Sequence, residues 1–127
     1  MNAGDAFLCP AKDEHLWMVI SDPAADADHV VIVNLTSWKQ GGNDSSGIVN
    51  TGEHPFVRHR SFVYYGGAKV DPLSHLKRLR TSGGLVLEDP LSEELLARIR
   101  LGAESSRWIP SFARQVLVDQ GLIDVDP

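Results

Sequence analysis

Three stretches of this chain hold residue types that can move protons or grip anions. His15 stands directly before the apolar run LWMVI. His59 lies in HPFVRHR, His54 to Arg60, a local basic segment without an acid. Imidazole is the side chain best matched to proton transfer near neutral pH. The third stretch, HVVIVNLTSW, starts as a buried strand and turns polar at Asn34, Thr36 and Ser37 before Trp38. A threonine hydroxyl can hydrogen-bond a phosphate oxygen, and an indole can stack a nucleic-acid base for ~1–3 kcal/mol.

Strand alternation divides these residues between faces. Asn34, Thr36 and Trp38 share one face, and Val31, Val33, Leu35 and Ser37 share the other, which is the better core face. The polar end reads either as a strand emerging into solvent or as one wall of a site. By the same rule His15 goes with Trp17 and Val19, His59 with Ser61, and Arg58 with Arg60. His54 and His59 fall on opposite faces, so a shared metal site would need Pro55 to bend the chain. No metal site and no cofactor is expected. His29 and His75 read as loop or helix-surface residues, and Cys9 as a small buried residue rather than a nucleophile.

The elements that must position these groups fall into two blocks. Strands are expected at Ala6–Cys9, Leu16–Ile20, Val30–Thr36, Ile48–Asn50 and Ser61–Tyr65, the last ended or bulged by Gly66-Gly67. The continuous run LWMVI implies a strand covered on both sides. SDPAADAD is a turn and KQGGNDSSG a loop by composition. Helices follow at Leu73–Leu79, capped by Asp71-Pro72, at Ser92–Leu101, ended by Gly102, and at Ser111–Gln120, with Phe112, Val116 and Leu117 inward. Leu85–Leu87 supplies a further short strand. The pattern is α+β: a small, curved β-barrel of short antiparallel strands with two to three appended helices. Residues 1–127 form one domain, mainly β over 1–70 and mainly helical over 71–127.

The 127 residues carry a formal net charge of −5, so bulk charge does not recruit nucleic acid and any such binding needs a local basic patch. One cysteine excludes an internal disulfide framework and a multi-cysteine zinc site. No signal peptide is visible, and no apolar run approaches the ~20 residues of a membrane span. A cytoplasmic protein that does not engage membranes is expected.

The order of these motifs resembles the MazF/PemK (Kid-like) toxins of type II toxin–antitoxin systems. GDAFL from Gly4 resembles the family's opening, and HLWMVISDP from His15 its second strand. VVIVNLTSW carries Thr36 where the third strand ends; RHRSFVYY, AKVD and LSEELLARI follow in family order. The chain departs from the family where His15 and Leu16 replace Arg and Pro, and where Asp13 and Glu14 make the preceding loop acidic. The resemblance implies an SH3-like barrel, a homodimer, and metal-independent cleavage of single-stranded RNA held in check by an antitoxin. Cleavage through the 2′-hydroxyl needs a base, an acid for the leaving 5′-oxygen, and donors for the charged phosphorane. On the resemblance, His15, Thr36 and His59 are the catalytic candidates, with His15 acting as acid or base and Arg58 or Arg60 stabilising charge. Asn34, Trp38, Lys39, Arg58, Arg60 and Ser61 are the substrate-binding candidates. The alternative is a binding module on the same barrel, without turnover, gripping an antitoxin peptide, a replication enzyme or RNA; the acidic net charge and the absent arginine favour it, and Trp17, Trp38, Phe56 and Tyr64 would line its groove.

Overall fold

The computed structural model describes residues 1–39 and 44–125. Part of the expected KQGGNDSSG loop, residues 40–43, lies outside that range. The chain is α+β, with six strands and three helices among the described residues. The strands are β1 (Ala6–Leu8), β2 (Trp17–Val19), β3 (Val30–Ser37), β4 (Ile48–Val49), β5 (Ser61–Asp71) and β6 (Val86–Glu88). The helices are α1 (Leu73–Thr81), α2 (Glu93–Ser105) and α3 (Ser111–Asp119). The strands form one antiparallel sheet in the order β4-β5-β3-β2-β1-β6, curled into a half-barrel.

β2 and the first part of β3 are buried on both faces, as their unbroken apolar runs require. On the inner face Leu16, Met18, Val31, Val33, Leu35, Val63 and Tyr65 pack with Leu95, Ile99, Ala113 and Leu117 of α2 and α3. On the outer face Phe7, Trp17, Val19, Val30 and Ile32 pack with Leu76 of α1. Cys9 belongs to this second cluster, where burial pushes its thiol pKa up. The helix covers the outer face at the Val30–Ile32 end of β3.

Gly66-Gly67 does not end β5. Ile32 pairs with Lys69 and Asn34 with Tyr64, so β5 carries extra residues opposite Val33 and bulges there. α2 begins as expected, with the Leu95 N–H donating to Ser92 Oγ at 3.1 Å. Two other termini differ. Asp71 is the last residue of β5; Pro72 takes the N-cap position without a side-chain cap, and the Asp71 carboxylate lies 3.7 Å from His75 Nδ1. Gly102 sits inside α2, because the Tyr65 hydroxyl and the Ser46 carbonyl occupy the space a Cβ would need. Phe112 points outward and Ala113 with Leu117 makes the buried stripe of α3.

Candidate active site

A cleft of about 620 Å³ opens at the end of the inner face, where β3 finishes and β5 starts. Its walls come from four segments: Glu14 and His15 before β2, Leu35 and Ser37 of β3, the 54–59 loop with Ser61, and Glu88-Asp89 at the end of β6. His15, Arg58, His59 and Ser61 of the expected set are therefore brought together.

Alternation fails for His15 because β2 begins only at Trp17. Freed from the strand, the His15 ring turns to β3, and its Nδ1 lies 2.9 Å from the Leu35 carbonyl oxygen. A carbonyl oxygen only accepts, so Nδ1 carries a proton and Nε2 is the nitrogen left to exchange one. The His15 N–H also donates to Asp13 Oδ1 at 3.0 Å, fixing the backbone.

His59 Nε2 shares a hydrogen bond of 2.7 Å with Ser37 Oγ. Ser61 Oγ donates to the His59 carbonyl at 3.1 Å, which ties the start of β5 to the loop. Arg58 and Arg60 do not share a destination, since both precede β5. Arg58 lines the cleft, whereas Arg60 lies over the Trp38 ring, 4.6 Å from its centroid.

The loop that carries Arg58 and His59 is anchored at three points. Arg98 pairs with Glu53, and that hydrogen bond holds the Glu53 carboxyl below the usual carboxylate range. The Asn50 N–H donates to the same carboxylate at 2.8 Å. Val57 is buried in the inner core. His54 is the third anchor, only 4% exposed. Its Nδ1 accepts from the Phe56 N–H at 3.0 Å and its Nε2 lies 2.6 Å from the Asp89 carbonyl oxygen. Both nitrogens are thus spent on backbone, and the ring is held as the neutral Nε2–H tautomer. His54 and His59 line the same cleft, yet His54 has no nitrogen to spare for a ligand. Among the described residues no group of three or more His, Cys, Asp or Glu side chains is placed to hold a metal ion.

The structure does not bring Thr36 to the cleft. Leu35 and Ser37 face it, so Thr36 faces the opposite side of the sheet, where its hydroxyl donates to Asn34 Oδ1 at 3.0 Å. Asn34 is buried on that outer face, Trp38 lies beyond it beside Phe62, and Lys39 is exposed. The cleft residues that sequence reasoning missed are chiefly Ser37 and His54. Ser37 had a signal: it shares the core face with Leu35, and the cleft is the open end of that face. His54 had none, because its partners Phe56 and Asp89 are set by the loop fold.

Comparison with protein-family models, with curated proteins and with solved structures finds no match to this chain. Among the described residues no helix is long and apolar enough to cross a membrane.

Proposed function

We propose that this chain is a toxin-type endoribonuclease that cleaves single-stranded RNA without a metal, as the resemblance to MazF/PemK toxins implies. The observation that carries this reading is the meeting of His15 and His59 in one cleft beside Arg58. In the proposed reaction His15 Nε2 takes the proton from the 2′-hydroxyl, with Nδ1–H held by the Leu35 carbonyl. The 2′-oxygen bonds to phosphorus, and the bond from phosphorus to the 5′-oxygen breaks. His59, as imidazolium, gives the leaving 5′-oxygen its proton; Ser37 holds the same Nε2 when RNA is absent. Arg58 meets the charge of the phosphorane. The products are a 2′,3′-cyclic phosphate and a 5′-hydroxyl. Thr36 has no part in these steps.

Glu14, Glu88 and Asp89 also line the cleft, so RNA must be held there against local negative charge. An antitoxin and a second copy of the chain are the partners this reading implies. Purified protein should cut single-stranded RNA in excess chelator. His15→Ala and His59→Ala should each lower the rate ~10²–10⁴-fold. Full activity in either variant removes that residue from the chemistry, and full activity in both removes the proposal.

A second reading, a binding module without turnover, is favoured by one observation. The α2–α3 corner exposes Leu101, Trp108 (63%) and Phe112 (57%), an apolar surface suited to a protein partner. Stoichiometric capture of such a partner by a chain that never cuts RNA would support it.

A further inference from the structure

We propose that the outer face of the β3–β5 ladder is a stacking track for single-stranded RNA leaving the cleft, with Trp38 and Tyr64 as its platforms, the buried Phe62 ring bracing them from between, and Arg60 across Trp38. The proposal rests on the reading of the cleft as an RNA-cleaving site. Trp38 and Phe62 meet edge to face at 6.2 Å between centroids, and Phe62 and Tyr64 at 6.4 Å. Such packing holds each ring at a fixed tilt. Tyr64 is 47% exposed and rests against the backbone of Gly67, where a Cβ would come 2.7 Å from its ring. With one side against backbone, the ring offers the other to solvent. The polar pair Asn34–Thr36 lies on this face too, Asn34 opposite both Trp17 and Tyr64 in register.

Continuity and charge select the occupant. Trp38 follows the cleft residue Ser37, Phe62 follows the cleft residue Ser61, and Arg60 lies two residues beyond Arg58. A strand of RNA passing round this end of the ladder goes from Arg58 to Arg60 and the Trp38 indole. Two cations border the face: Arg60 lies over Trp38, and the exposed Lys69 lies 5.0 Å from the centroid of the buried Trp17 ring. In a chain of net charge −5 this combination of rings and cations suits a polyanion that presents π-faces.

The test is the affinity for a fluorescent uridine dodecamer, measured by anisotropy in the His59→Ala background, where cutting is slowed ~10²–10⁴-fold and the dodecamer stays intact during the reading. Tyr64→Ala and Trp38→Ala should each weaken binding ~5- to 150-fold, and Tyr64→Phe should bind as the background does. Arg60→Gln should flatten the salt dependence by about 0.7 in log–log slope. Circular dichroism reports folding; if Trp38→Ala is unfolded, Tyr64→Ala on its exposed site carries the test. Affinity within twofold of the background in folded Tyr64→Ala overturns the track, as does no binding of the dodecamer. Ring-dependent binding by a wild type that never cuts RNA supports the track and defeats the nuclease reading. Cutting with ring-independent binding does the reverse.

Discussion

Removing the His54 ring should cost stability rather than chemistry. The ring is buried and makes two hydrogen bonds, one accepted from the Phe56 N–H and one donated to the Asp89 carbonyl. Each bond contributes about 0.5–1.5 kcal/mol net, and a buried partner left unmatched costs about 1–3 kcal/mol. Cleft water can reach part of the space an alanine would leave, which sets the expected loss at about 2–4 kcal/mol. For a chain of this size that lowers Tm by roughly 10 °C. Urea unfolding followed by tryptophan fluorescence measures it. Cleavage by His54→Ala, assayed well below its Tm, should fall less than in His15→Ala or His59→Ala. A variant as stable as wild type within about 0.5 kcal/mol, yet as inactive as His59→Ala, would refute the reasoning and make His54 a chemical participant.

Tyr65 gives a pH prediction. Burial raises its phenol pKa, while its hydroxyl donates to the Ile99 carbonyl at 2.7 Å. The unfolded phenol ionises near pH ~10, so the contribution is complete below that pH and is lost as pH rises above it, by at most ~1.4 kcal/mol per unit. Tyr65→Phe should lose about 1 kcal/mol at neutral pH and remove this alkaline decline, read from urea midpoints across pH 7–11. Gly102→Ala sets two effects against each other. Helix propensity favours alanine by up to ~1 kcal/mol, but the new Cβ would meet the Tyr65 hydroxyl and the Ser46 carbonyl, so a net loss of about 1–3 kcal/mol is expected in a thermal melt.

How far the sequence carried depends on the residue. The runs LWMVI and VVIV were legible as strands because burial on both faces leaves an unbroken apolar signal. The curled sheet followed from many short strands and loops. Side-chain direction was legible only inside strands. His15, Arg58 and His59 each precede a strand, so period-two reasoning paired His15 with Trp17 and Arg58 with Arg60, and the loops undid both pairings. Inside β3 alternation held, and it is what separates Thr36 from the cleft. Gly102 read as a stop because glycine commonly ends helices; its actual cause, space for Tyr65, lies far away in sequence. Asp71 read as a cap by its type and its following proline, but the strand β5 extends to claim it.

The central claim is that RNA is cut by its own 2′-hydroxyl with His15 and His59 moving the protons. The most direct measurement pairs an oligoribonucleotide with its copy carrying a single 2′-deoxy sugar at the cut position, both assayed in chelator. The account predicts a 2′,3′-cyclic phosphate and a 5′-hydroxyl from the first, and no cutting at the substituted position in the second. Cleavage at the deoxy sugar, or a chelator-sensitive reaction leaving a 5′-phosphate, would contradict it.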